Sequence, residues 1–318
     1  MKMKKILLVA ALFSLAGVAM AGDNVEVYGK LQEYVDSYKL GTAGAVTQGF
    51  NDNSRFGVRG SEDLGGGLKA TFIVETNVNA ETPGTASHTT AAAPTALGDR
   101  ESRVGLSNKF FSIDLGHGTQ VVGSTLDKFD AFNNYDLSVT NVVHSTQGQR
   151  INNAVFASAT PVEGVTVRFQ QAESNTTVKA TQAAGVELAK FGATLAVNRF
   201  DNYAGNATNQ YAAKYTFAPT GTTIAAIYSN DTVDNVKSVG ESVGVTQVVP
   251  GVKALSVLAV YGKKDDKSVA NNDLKAYALG ANYSLSQRTT LQARYIKEDF
   301  RVATGDVCHI AVGLQHNF

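Results

Sequence analysis

Apolar and polar residues alternate along most of this chain, and the clearest example lies between Ser54 and Glu75. Residues 54–59 alternate phenylalanine and valine with arginine and glycine, and residues 68–75 alternate apolar side chains with mostly polar ones. Gly65–Gly67, between them, supply the positive φ angles that a short reversal needs. A two-residue period of this kind predicts a β-hairpin with one apolar and one charged face.

The same signal recurs to the end of the chain. Short turns are predicted near residues 65, 109, 162, 190, 219, 250 and 286. Longer polar loops are predicted at 36–53, 76–100, 116–148, 171–181, 199–209, 229–237, 262–273 and 297–306. Seven turns alternating with eight loops, with a strand at each end, require sixteen strands. Short connections on one side and long ones on the other are typical of a transmembrane barrel.

Closure of the sheet follows from the lipid environment. An unpaired backbone group in hydrocarbon costs several kcal/mol, so the first and last strands, Val25–Leu31 and Ile310–Phe318, are expected to pair. The predicted fold is therefore all-β, a 16-stranded antiparallel transmembrane β-barrel with apolar side chains outward. A soluble secreted β protein, with the apolar face inward, is the alternative that the alternation alone leaves open.

The amino terminus has the features of an export signal. Met1–Lys5 carries three lysines, 6–18 is almost wholly apolar, and Ala19-Met20-Ala21 fits a small-residue cleavage site. We therefore predict a signal peptide at 1–21 and one barrel domain at 22–318. The apolar run is shorter than the roughly 20 residues of a membrane-spanning helix.

Composition and charge exclude several function classes. The chain has 30 glycines, 12 tyrosines and 15 phenylalanines but only 5 prolines and one cysteine, which suits many short strands and turns. Without the signal peptide it has 25 basic and 28 acidic residues, so no basic excess points to nucleic acid.

Motifs for catalysis are absent from the sequence, and the prediction is a non-enzyme without cofactor or metal. Cys308 and His309 would point to opposite faces of a strand, which disfavours a metal site. Asp265-Asp266 and Asn271–Asp273 fit a solvated loop better than a calcium site because the calcium-loop spacing is missing.

Several segments resemble the general porins of Gram-negative bacteria, the trimeric sixteen-stranded type. They are Val27–Leu31, Ser54–Ala70, Arg103–Leu106, Leu115-Gly116 and the terminal Phe318. The resemblance implies a water-filled outer-membrane channel for passive diffusion of small hydrophilic solutes and ions. It also implies a homotrimer in contact with outer-membrane lipid and lipopolysaccharide, and a long third loop folded into the lumen. Phe318 resembles the signal read by the outer-membrane assembly machinery. His117-Gly118 stands where the family usually has an arginine-glutamine pair.

Charged residues on the polar face are the candidate pore-lining groups. A basic side chain facing lipid near the bilayer midplane costs roughly 2–4 kcal/mol, so those at mid-height are expected in the lumen. The hypothesis places a basic wall opposite acids of the third loop, where they set ion preference. The wall consists of Lys30, Arg59, Arg103, Arg150 and Arg168, and the acids are Asp127 and Asp130. The alternative is that the arginines lie at different heights and merely solvate the wall.

Aromatic residues near strand ends are expected to gird the barrel at the two interfaces. They are Phe110, Phe111, Phe191, Phe217, Tyr283, Tyr295 and Phe318. The second function considered is a surface adhesin or receptor that uses the barrel as an anchor, with its long loops at 76–100 and 116–148 carrying the binding.

Overall fold

A computed structural model of the chain describes residues 24–79, 97–132, 137–144, 150–173, 180–202, 205–268, 273–301 and 305–318. The predicted signal peptide lies outside the described residues. The strands are β1 Asn24–Leu40, β2 Val46–Asn51, β3 Arg55–Gly65, β4 Leu68–Asn77, β5 Glu101–Ser107, β6 Phe111–Thr119, β7 Arg150–Val162, β8 Val165–Ala172, β9 Thr181–Lys190, β10 Ala193–Asn202, β11 Asn206–Phe217, β12 Thr222–Val233, β13 Val236–Val248, β14 Leu255–Asp266, β15 Leu274–Ser284, β16 Thr289–Phe300 and β17 Val307–Asn317. Two helices, α1 Val121–Phe129 and α2 Val139–Val143, lie between β6 and β7.

The strands form one closed antiparallel barrel, as predicted. β1 pairs with β17 from Lys30 opposite Asn317 to Leu40 opposite Val307. On its other edge β1 pairs first with β3 and then with β2, so these two segments are halves of a single barrel strand. The 17 segments of the sheet therefore make sixteen barrel strands.

The break in that strand is a local bulge around Asn53, whose φ is +57°. The Asp52 amide donates to the Gln32 carbonyl at 3.0 Å, and the Gln32 amide donates to Ser54 Oγ at 2.8 Å. The extra residue is accommodated without loss of closure, which is the usual effect of a β-bulge.

Apolar side chains point outward, as the alternation predicts. Phe56, Phe72 and Leu314 are 38%, 39% and 45% exposed. Tyr211 and Tyr228 are directly opposite each other on the outer face of β11 and β12. Within the described ranges, no helix is long and apolar enough to cross a membrane.

Three of the predicted loops are wrong in extent. Strand structure covers much of 36–53, 199–209 and 229–237, leaving connections of only 41–45, 203–205 and 234–235. Asp234 and Asn235 both have positive φ, 49° and 67°, as in a two-residue hairpin turn. The error arises because these strand ends carry polar side chains on both faces, so they lack the apolar alternation by which strands are recognised.

The third loop folds into the barrel, as predicted from the family resemblance. α1 contacts β8 to β12, and α2 contacts β13 to β15. Leu137, Val139 and Val143 are completely buried and form one apolar cluster with wall residues such as Leu258 and Ile296. The wall behind the loop is therefore apolar on its inner face as well as on its outer face.

Glycines on the inner wall let the loop approach closely. A Cβ atom at Gly280 would lie 2.6 Å from Cε1 of Phe132, and one at Gly262 would lie 2.8 Å from the Val139 and Val143 side chains. Glycine inside a strand often marks such an approach. The positions of these glycines therefore fix where the loop rests.

Candidate functional site

The helix α1 is held at its start by side-chain caps. Gln120 accepts a hydrogen bond from the Val122 amide at 2.8 Å, and the Val121 amide donates to Gln170 Oε1 on β8 at 2.9 Å. The apolar side of the helix packs on the inner wall through Val121, Val122, Leu126 and Phe129. Its polar side is left to face the open part of the lumen.

A cavity of about 500 Å³ lies between α1 and the wall formed by β5 to β8. Polar and charged groups dominate its lining, so it suits water and hydrated solutes. Of the predicted pore residues, the structure brings Arg103, Arg168 and Asp127 together around this space. Its charged lining side chains are Glu101, Arg103, Asp114, Asp127, Lys128 and Arg168.

Basic side chains around the cavity pair mainly with acids. Arg103 Nη2 lies 2.9 Å from Glu101 Oε2, and the Arg103 guanidinium also covers the Phe156 ring at 5.0 Å. Arg168 Nη1 lies 3.8 Å from Glu187 Oε2, and Lys128 of the loop pairs with the same carboxylate. Opposite charges are therefore close neighbours on the wall, and Lys128 of the loop joins one of these wall pairs.

A second charged group lies on β1, β3, β4 and the residue just before β5. The Glu75 carboxylate is 2.6 Å from Arg100 Nε and 3.6 Å from Arg55 Nε, and it accepts a hydrogen bond from Tyr28 Oη at 2.9 Å. The predicted pore residue Lys30 is buried beside this group and donates from Nζ to Gln32 Oε1. Lys30 also lies within electrostatic range of Asp127, which connects the group to α1.

Other predicted residues lie outside the lining of the cavity. Arg59 pairs with Glu26 at 2.8 Å, and its side chain is 54% exposed. In the sheet register Arg59 and Arg103 are the neighbours of Ile73 on either side, yet only Arg103 lines the cavity. Arg150 begins β7 opposite Thr119, near the loop end of the barrel.

Asp130 ends α1 and serves the loop itself. Its carboxylate accepts hydrogen bonds from the Phe132 amide at 3.1 Å and from Ser138 Oγ. Its electrostatic neighbour on the wall is Arg294 of β16, on the side of the barrel away from the cavity. The structure therefore places Asp130 at a turn of the loop and Asp127 at the cavity.

Sequence reasoning missed the acids of the wall, Glu75, Glu101 and Glu187. Each occupies an inward position in the same alternation that placed the arginines, so the signal was present. Arg100 was missed because it stands just before β5, inside a stretch predicted as loop. In the described part of the chain, no group of three or more His, Cys, Asp or Glu side chains is arranged to hold a metal ion.

The carboxyl-terminal residue completes the closing seam. The Phe318 amide donates to the Gly29 carbonyl at 3.1 Å, and the Gly29 amide donates to the Phe318 carbonyl at 3.0 Å. Its ring lies over Gly29, where a Cβ atom would approach Cζ to 2.3 Å.

Comparison with known proteins places the fold in context. A family model described as Gram-negative porin matches residues 7–301. The chain is 36% identical over 140 residues to outer membrane porin protein 32 of Delftia acidovorans, and 31% identical over 149 residues to an outer membrane porin protein of Bordetella pertussis. Each alignment covers 41% of this chain, and they span only 36% and 37% of the two relatives.

Solved structures agree over a longer range. The anion-selective porin from Comamonas acidovorans superimposes with a TM-score of 0.75 at 19% identity, covering 93% of this chain and 100% of that one. The trimer form of in-vitro folded OmpT of Vibrio cholerae gives a TM-score of 0.69 at 15% identity, again covering 93% of this chain and 100% of that one. At these identities the likeness concerns the fold.

Proposed function

The chain belongs to the Gram-negative porin family, and on this basis we propose that it forms an outer-membrane channel for passive diffusion of small hydrophilic solutes and ions. The observation that carries the proposal is a charged cavity inside a closed barrel whose outer face is apolar. Such a barrel presents hydrocarbon-compatible side chains to lipid and a polar passage to water. It acts as a passage, and no reaction is assigned to it.

The charges around the cavity support weak ion selectivity. The lining contains Arg103, Lys128 and Arg168, and it also contains Glu101, Asp114 and Asp127, so the two signs are equal in number. Balanced charge cancels at distances larger than the spacing within each pair, so a permeating ion experiences a small net field. A structural relative is described as anion-selective. For this chain we propose a small preference for anions over cations, set by the three basic residues and by Lys30.

The third loop bears on the adhesin alternative. Its described parts, residues 120–132 and 137–144, lie inside the barrel and are largely buried. The longest of the predicted loops therefore lies inside the barrel, where it narrows the lumen. This placement favours the channel over a loop-borne binding function.

Assembly and export complete the proposal. A solved structural neighbour is a trimer, which supports a homotrimer for this chain in the outer membrane. Residues 1–21 would direct export, and Phe318 would serve as the signal to the assembly machinery. Chemical crosslinking in detergent tests the trimer: a three-chain band supports it, and a purely monomeric pattern contradicts it.

Liposome swelling tests the channel function. Purified protein in liposomes should admit neutral sugars at rates that fall as sugar size rises, because a passage of fixed cross-section sieves by size. Liposomes with heat-denatured protein provide the control. Swelling no faster than in that control would contradict the proposal.

A further inference from the structure

The far arm of the third loop, residues 137–144, packs on the barrel through the apolar side chains of Leu137, Val139 and Val143. Beyond Phe132 the next described segment runs from Leu137 to His144, one residue past the short helix α2. Val139 and Val143 fill the space that Gly262 leaves on β14. Apolar contacts of this kind resist separation but do not fix orientation well, since they are non-directional.

His144 adds two directional contacts between this arm and the wall. Its Nδ1 lies 2.8 Å from Ser229 Oγ on β12, and its Nε2 lies 2.8 Å from Ser242 Oγ on β13. Only 3% of the residue is exposed. A Cβ atom at Gly240 would lie 2.8 Å from Nδ1, so the ring occupies a slot that a larger residue would close.

The hydrogen-bond partners define which ring nitrogen carries the proton. Ser229 Oγ donates its single proton to Asp231 Oδ2 at 2.8 Å, so towards His144 it can only accept. Nδ1 is therefore the donor, and Nε2 of the neutral ring accepts from the Ser242 hydroxyl. Thr208 Oγ1 donates a hydrogen bond to the other carboxylate oxygen of Asp231, Oδ1, at 2.8 Å. This bond orients the Asp231 carboxylate, the last group in the series His144, Ser229 and Asp231.

We propose that His144 is the positioning residue for the far arm of the constriction loop, and that protonation of its ring releases this arm and closes or destabilises the open channel. The inference rests on the proposed channel function. The charged groups nearest the ring are Asp231 on β12 and Lys264 on β14, with Asp266 one alternation further along β14. The inward residues of β13 and β15 against α2, which include Ser242 and Ala276, carry no charge.

The direction of the pH effect follows from burial. Burial, reinforced by Lys264, lowers the pKa of His144 to about 3. A histidine released into water has a pKa of about 6.5. The neutral ring is the docked form, so docking is fully favourable above about pH 6.5 and weakens as the pH falls towards about 3. Between these limits the ratio of released to docked arm should rise about tenfold per pH unit, because one proton is taken up on release.

The test is the pH dependence of channel closure in planar bilayers, with full-length protein titrated on both sides from about pH 7.5 to about pH 4. Wild type should show closures whose frequency rises steeply below about pH 6. His144→Gln keeps a polar side chain that does not titrate in this range, and it should lose the acid response. His309→Gln is the matched control, because His309 is also inward and pairs with Asp36 at 2.8 Å; it should retain the response.

Each outcome decides the inference. A wild type without acid response, or an unchanged response in His144→Gln, overturns it. If His144→Gln fails to fold, Ser242→Ala takes its place: it removes the donor to Nε2 and should move the response to higher pH, and an unmoved response overturns the inference. Absence of conductance at neutral pH would instead contradict the proposed channel function.

Discussion

Replacing single charges at the cavity should shift ion selectivity in opposite directions. Arg103→Gln removes a positive charge and leaves Glu101, whereas Glu101→Gln removes a negative charge and leaves Arg103; the two groups are 2.9 Å apart in the wild type. The Glu101 carboxylate also accepts from the Thr119 amide at 2.9 Å, and glutamine retains an oxygen for that bond. The two variants therefore perturb the field with little change of shape.

The size of the effect follows from Coulomb's law. For an ion passing roughly 7 Å from the unbalanced charge, the interaction in water is about 0.6 kcal/mol. Screening at about 0.1 M salt halves this to about 0.3 kcal/mol. Because anions and cations respond in opposite senses, the anion-to-cation permeability ratio should change about threefold, towards cations in Arg103→Gln and towards anions in Glu101→Gln.

Reversal potential in a salt gradient measures this ratio directly. Arg199→Gln is the control: its side chain lies on the outer face, 55% exposed, and pairs with Asp201 at 2.7 Å. That variant should leave the reversal potential unchanged. Shifts of the same sign in both luminal variants, or an equal shift in the outer-face control, would refute the assignment of Arg103 and Glu101 to the permeation path.

Three further substitutions test the packing. Glu75→Ala leaves Arg55 and Arg100 without their carboxylate and should lower the free energy of unfolding, measured by urea titration, by about 3 kcal/mol. The control Glu163→Ala, at an exposed turn, should cost nothing measurable, so equal unfolding midpoints for the two variants would contradict the role of Glu75. Gly280→Leu should push Phe132 into the lumen and lower the single-channel conductance. The control Gly44→Ala should leave the conductance unchanged, because a Cβ atom at Gly44 would have no neighbouring atom within 4 Å. Equal conductances of the two variants would show that the loop does not rest on Gly280. Gly29→Ala overpacks the Phe318 ring and should destabilise the seam by about 1–3 kcal/mol, seen as less folded barrel on heat-modifiable gels; an unchanged yield would contradict the contact.

Much of the barrel could be predicted because lipid enforces a simple rule. Every strand that crosses hydrocarbon must place apolar residues outward, so the pattern around Phe56 and Leu314 shows which face of each strand meets lipid. Closure needs no pattern of its own, since an open edge in lipid is too costly. Turns such as Gly65–Gly67 were readable because their backbone demands glycine.

The interior was harder to predict because the rule there depends on tertiary contacts. Residues 257–260 of β14, Val-Leu-Ala-Val, are apolar on both faces, a pattern of strands covered on both sides. That run indicates that a segment of the chain packs against the inner face of β14, but it does not identify the segment. Likewise, alternation places Arg103 in the lumen without showing that Glu101 neutralises it, because the pairing depends on side-chain geometry.

Single-channel recording from purified protein in a planar bilayer is the decisive measurement, because it tests whether a barrel with an apolar outer face encloses a water-filled passage. We expect discrete current steps, close to linear in voltage and rising with salt concentration. Protein shown by heat-modifiable gel mobility to be a folded barrel, yet carrying no current above the bare bilayer, would contradict this expectation.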